Sequence, residues 1–262
     1  MATKILKSAV APPVLGSEAL SSGEAVGGVA GPGRWLVLRY LPTSLFSLKM
    51  SSATSTVGRT LLSPTPYAVK MAFVDAAFRM GWKGDVGLLV ADFARADLRV
   101  GMPPHATVTH TIIKVRQEPK DRKAGQAYGP AVAYREFVQF SGMMQFGFDL
   151  ATLSADAAGA ITAIGPAIQY IGKRGSFIQY LGVERVQDLA GNFTQPIESL
   201  SLVAPGRMHI STLDDFGPEA NLDALNSYSA TAIKRGKHRK FVQTIIPLGL
   251  INAGPGFSEY SR

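Results

Sequence analysis

The residues best suited to chemistry in this chain are cations set among hydroxyls and glycines. Lys49 and Arg59 stand in a Ser/Thr-rich stretch, residues 42–64, that contains no acid and also carries Ser52 and Thr56. Hydroxyls, backbone amides and cations in one loop can hold phosphate oxygens. Lys114, Arg116, Lys120, Arg122 and Lys123 surround a polar excursion opposed by Glu118 and Asp121, with Tyr128 close to its tip and Arg135 beyond it. Lys173-Arg174 lies between two glycines, which let a backbone approach a phosphate chain closely. Lys234 to Lys240 is the densest patch, five cations in seven residues. Solvated surface is the alternative reading of each cluster, so the choice needs the elements that position it.

Enzyme chemistry has less to work with. No paired-carboxylate motif, nucleophile elbow, Walker loop or G-x-G-x-x-G fingerprint occurs, and the Gly-rich stretch at 27–33 precedes a strand, the wrong order for a dinucleotide loop. His105, His110, His209 and His238 lack metal-ligand spacing. A metal-independent ribonuclease would need a general base, a general acid and a cation, so His110 or His209 with a Tyr and a Lys could serve. The sequence does not bring them together. No catalytic residue, metal or cofactor is therefore assigned.

The chain as a whole has 262 residues, 46% of them hydrophobic, enough to bury a sizeable core. Lys and Arg number 27 against 19 acids, a net charge of +8 that favours an anionic partner. Absence of cysteine removes disulfides and thiolate chemistry and fits a cytoplasmic home. The short apolar run after Lys4 and Lys7 is broken by Pro12-Pro13 and followed by Glu18 and Glu24, which argues against a secretory signal. No segment approaches the ~18 to 20 apolar residues of a membrane helix, so a soluble protein is expected.

Residues 1–33, rich in Gly, Ala and Ser, are expected as an arm that is flexible or docks on a partner. Trp35 to Leu41 reads as a strand. A helix follows, capped by Thr65, opened by Pro66 and stopped near Gly81, with Val69, Ala72, Phe73, Ala76, Ala77 and Met80 in one buried stripe. Gly84-Asp85 opens a second helix through about Asp97. Ala106–Arg116, Val132–Phe140 and Met143–Leu150 read as an antiparallel meander with a long charged hairpin tip at about 116–131. A helix from about Ser154, kinked at Gly165-Pro166, and a strand over Phe177–Val186 follow. Beyond Asp188 the pattern weakens: 192–229 is irregular, 241–251 reads as one closing strand, and the last ten residues as a loose tail. The fold class expected is α+β, with a β-α-β-β-α-β ferredoxin-like core over 34–187 and an extension over 188–262.

Four stretches together carry a family resemblance: LLSPTPYAVKMAFVDAAF, VGMPPHATVTHTIIKV, YREFVQF and IQYIGKRGSF. In order and spacing they resemble the CRISPR-associated RAMP proteins, in the Cas five family that caps the 5′ end of guide RNA in type I Cascade complexes. Gly175 stands where that family often has an acid. The resemblance implies a ferredoxin-like domain with a projecting hairpin thumb and no catalysis in most members. It implies crRNA, a backbone subunit and a large subunit as partners, with target DNA near the protospacer-adjacent motif as a further contact. Lys49, Ser52, Thr56, Arg59, Lys173 and Arg174 would grip the RNA, and Lys114, Arg116, Arg122, Lys123, Tyr128 and Arg135 would form the thumb side. One subtype processes precursor crRNA with Tyr, Lys and His, a trio not matched here.

Overall fold

The computed structural model describes residues 33–49, 57–118, 121, 123, 125, 127–199 and 208–262. The arm expected at 1–33 lies, save Gly33, outside the described residues, as do Ser52, Thr56, Lys120 and Arg122.

Strand β1 spans Trp35–Pro42, and after a long excursion a short strand β2, Val57–Gly58, returns the chain towards helix α1, Pro66–Arg79. The α1 start follows from local chemistry: the Thr65 side chain accepts a hydrogen bond from the Ala68 N–H at 3.1 Å, and Pro66 needs no donor partner in the first turn. Val69, Ala72, Phe73, Ala76 and Ala77 are buried as their spacing predicts, whereas Met80 is 47% exposed because the helix has already ended. Helix α2, Val86–Arg95, is capped by the Asp85 carboxylate. It stops short of the expected Asp97, since Ala96 turns extended and feeds strand β3, Leu98–Gly101.

The hairpin strands β4, His105–Gln117, and β5, Gly129–Ser141, run thirteen residues each. Strand β6, Met144–Asp149, leads to helix α3, Ala155–Ile164, which tightens into a single 3₁₀ turn at Gly165–Ala167 where proline was expected to kink it. Strand β7 spans Ile178–Val186. The rest is β8, Gln195–Pro196; β9, His209–Phe216; a short helix α4, Leu222–Leu225; and β10, β11 and β12 at Arg239–Ile246, Gly249–Gly254 and Phe257–Ser261.

One antiparallel sheet has the order β3-β6-β1-β7. Taken in chain order with α1 and α3, these four strands make the β-α-β-β-α-β ferredoxin-like arrangement, and the fold is α+β. The expected meander over 106–150 is corrected: β6 does not pair with β5 but crosses into this sheet between β1 and β3. The second core strand is therefore β3, and the β4–β5 hairpin is an insertion between the second and third core strands. A second sheet, β11-β12-β4-β5-β2, carries that hairpin, and a third, β8-β10-β9, completes the molecule. Two further expectations are corrected. The closing strand at 241–251 divides into β10 and β11 around Pro247, and the tail is not loose, because β12 pairs with β4 from Thr109 to His105.

The strand period of two explains the core. Leu36, Leu38 and Tyr40 of β1 face the helices with Phe146 and Phe148, while Trp35 and Val37 face Phe193 and Leu189 on the other side. Phe73 of α1 meets Phe148 edge-on at 5.4 Å and Phe93 of α2 at 5.8 Å. The C-terminal strands belong to the same core through Leu213, Phe216 and Ile246. They are tied to α1 by an ion pair: Lys70, wholly buried, donates to Asp215 Oδ1 at 2.6 Å and to the Ala96 carbonyl at 2.9 Å. Burial pushes the Lys70 ammonium below its ordinary value, and Asp215 opposes that. Among the described residues no helix is long and apolar enough to cross a membrane.

Candidate nucleic-acid interface

Two clefts open where the described parts of the 42–64 excursion, residues 43–49 and 57–64, cross β5. The excursion is pinned there: Phe46 exchanges backbone hydrogen bonds with Val138, Val57–Gly58 lies parallel to Tyr134–Arg135, and Lys49 bridges Thr60. The Thr60 N–H also donates to Glu136 Oε2 at 2.9 Å. Ser44 donates to the Gly175 carbonyl at 2.6 Å and accepts from the Phe177 N–H at 2.7 Å, so the excursion is fastened to the Lys173-Arg174 turn as well. That turn needs its glycines, since Gly172 and Gly175 adopt φ of 68° and 105°.

The first cleft, about 380 Å³, is lined by Lys49, Arg135, Lys173 and Arg239, together with Thr65, Tyr67 and Ala68 at the start of α1. Three of its four cations were predicted from three separate stretches. Their reach differs: Lys49 and Lys173 are exposed, while Arg135 is half-buried and donates through Nη1 to the Tyr134 carbonyl at 2.9 Å. Gly58 makes room for it, because a Cβ there would lie 3.1 Å from Arg135 Cδ. Arg239 is paired with Asp214, and its guanidinium stacks 4.3 Å over the Tyr67 ring. Burial raises the Tyr67 hydroxyl above its ordinary value, keeping it neutral. Four cations against the single lining carboxylate, Asp214, leave three net positive charges. The positive end of the α1 dipole, with no acid in its first turn, adds to that field.

The second cleft, about 470 Å³, lies on the other side of Leu61, which lines both. Arg59, His110, Glu136, His209, Ser258 and Tyr260 contribute its polar lining. His110 Nε2 stands 3.8 Å from Glu136 Oε1, and the His209 and Tyr260 rings are 6.4 Å apart. Burial holds the His209 imidazole below its ordinary value. The floor is one face of the hairpin, whose residues change character along its length. Ala106, Val108, Val138 and Phe140 are core, His110 and Glu136 are cleft, and Ile112 and Val132 reach solvent at 72% and 66% exposure.

Of the remaining predicted residues, Lys114 and Arg116 stand exposed on the outer half of β4, and Lys123 and Tyr128 are exposed near the hairpin tip. Arg174 is exposed in the turn after α3 without lining either cleft. Sequence reasoning missed Tyr67 and Arg239 as partners in one cleft. The available signals were an aromatic directly after the Thr-Pro cap and the basic run at 234–240. Much of that run is internally neutralised, Lys237 on Glu219, Arg239 on Asp214 and Lys240 on Asp215.

No protein-family model matches the chain, and no curated protein matches it. Among solved structures, a CRISPR protein from Archaeoglobus fulgidus is similar with a TM-score of 0.41 and 12% identity, over 87% of this chain and 91% of that one. A chain described as a CRISPR RNA-guided surveillance complex is similar with a TM-score of 0.45 and 15% identity, over 81% and 89%.

Proposed function

We propose that this chain is an RNA-binding subunit of a type I CRISPR effector, capping the 5′ handle of crRNA without cutting it. The observation that carries the proposal is the convergence of Lys49, Arg135 and Lys173 on one cleft with a net positive charge. Arg135 and Lys173 stand in two of the stretches at which the sequence resembles the Cas five family. A hooked single strand is held by phosphate contacts from loops and by bases splayed against side chains. The first cleft supplies the cations, and the β4–β5 hairpin, with Lys114 and Arg116 on its outer half, supplies a thumb. On this reading the partners are crRNA, a backbone subunit and a large subunit, with target DNA near the protospacer-adjacent motif as a further contact. The work is done in the cytoplasm as antiviral defence.

A second reading, a metal-independent endoribonuclease processing precursor crRNA, is favoured by one observation: His110, His209 and Tyr260 line the same cleft. Incubating the full chain with CRISPR repeat RNA in EDTA separates the two. Capping predicts a retained, uncut complex that is competed by RNA bearing the 5′ handle and poorly by RNA lacking it. A discrete cut abolished by His110→Ala would replace capping by cleavage, and absence of any RNA binding, alone or with partner subunits, would sink both.

A further inference from the structure

The second cleft differs from the first in the ligand it suits. Its lining carries one fixed cation, Arg59, against one carboxylate, Glu136, so it has no net pull on a phosphate. His209, held neutral by burial, adds none at neutral pH. What it offers is hydrogen-bonding variety over an apolar base of Leu61, Leu62 and Val108. Glu136 Oε2 is occupied by the Thr60 N–H, while Oε1 points towards His110. The β9 strand lies along the cleft through Ile210 and Thr212 and is, among the described residues, an edge strand of its sheet. An edge strand presents backbone donors and acceptors to a planar ligand. The volume falls in the ~300–1,000 Å³ range of small-ligand sites.

A neutral, planar ligand with its own donors and acceptors, held next to a phosphate-binding cleft, is a nucleobase. We infer that the second cleft holds one unstacked base of the RNA strand whose phosphates occupy the first, with Glu136 and His110 reading its hydrogen-bonding edge and Tyr260 walling its face. Leu61 is the divider over which the strand passes. This rests on the RNA-binding reading and adds to it a site of sequence discrimination.

A random pool of ten-nucleotide RNAs, retained on the full chain in EDTA and sequenced, tests it. One position is expected to favour one base about tenfold, and an abasic residue at that position should weaken wild-type binding by a similar factor, the scale of one lost base contact. The Glu136→Gln/His110→Ala variant should lose the preference while keeping the salt dependence of binding. Retention with no base preference, or an abasic residue that costs nothing, overturns the base pocket and leaves the RNA-binding reading standing. A preference that persists in the folded variant places the discrimination elsewhere and overturns it too. No retention of any RNA overturns both. Recovery of cut RNA makes the cleft an active site. Binding of free nucleoside monophosphates with no binding of strands would overturn the assignment to RNA.

Discussion

The double variant Lys49→Ala/Lys173→Ala attacks the first cleft where it is most exposed and least entangled with folding. Among the described residues neither lysine is ion-paired with an acid, whereas Arg239 holds Asp214 and stacks on Tyr67, so its removal would mix binding with stability. Single-stranded RNA gives a slope of log affinity against log salt of about −0.7 per neutralised phosphate, so two lost contacts should flatten it by about 1.4. From about 50 to 200 mM salt that difference amounts to roughly a sevenfold change. Extrapolated from a 1 M reference to about 150 mM, the loss of affinity is about fourteenfold, near 1.6 kcal/mol. On the RNA-binding proposal, three net charges in the cleft alone would give a slope of about −2, and five to eight phosphates across the whole interface about −3.5 to −5.6. Fluorescence anisotropy with a labelled repeat RNA across that salt range reads both quantities, and Lys83→Ala, an exposed lysine outside both clefts, is the control. An unchanged slope in a natively folded double variant would refute the reasoning, because no other effect of removing two exposed lysines mimics intact phosphate contacts.

Four predictions concern the scaffold. Asp215→Ala, which leaves Lys70 buried with only the Ala96 carbonyl, should cost about 3–5 kcal/mol in urea unfolding, and Lys70→Met distinctly less, because no buried cation is orphaned; equal losses would contradict the pairing argument. Burial alone would raise the Asp149 carboxyl, but the Arg34 hydrogen bond, the Ala151 N–H and the charges of Arg34 and Arg99 outweigh it and hold it below the ordinary value. Its stabilisation is thus present above the ordinary carboxylate range and lost as pH falls through the lower folded value, so Arg34→Ala should move the midpoint of acid unfolding to higher pH. Phe148→Ala, in the middle of the aromatic core, should cost about 3–5 kcal/mol by thermal or urea melts. At Gly217 a Cβ would fall 2.1 Å from the Lys237 carbonyl oxygen, so Gly217→Ala should destabilise by about 1–3 kcal/mol as the backbone beside the β9–β10 ladder is forced apart.

Much of the ferredoxin-like core was legible because its signals are local. The Thr65-Pro66 cap, the α1 stripe and the Gly165-Pro166 break each state their structure within a few residues. What escaped was decided at a distance. Strand β3 is four residues long and is defined by its pairing with β6, so nothing in Leu-Arg-Val-Gly announces it. β5 and β6 are joined by a Ser-Gly turn like that of a hairpin, yet β6 is captured by the apolar faces of β1 and β3. β9 shows no clean alternation because only its second half is buried. The cation positions of the first cleft could be read from the sequence, but the pairing of Arg239 with Asp214 and its stacking on Tyr67 depend on how β9 and β10 dock on α1. His110 and His209 stand on strands of different sheets, and only the tertiary fold sets them around one cleft.

The Lys70–Asp215 pair joins residues 145 positions apart, and its neighbours on β9 and β10 complete one wall of the first cleft. At ~5–20 residues per second of synthesis, the ribosome needs roughly 7–30 s to pass from one partner to the other. During that interval α1 carries a lysine with no acid to meet it, and the cleft lacks Asp214 and Arg239. A nascent chain can therefore shape its first sheet early, but the wall that Asp214 and Arg239 give the first cleft is complete only once β9 and β10 have docked on α1.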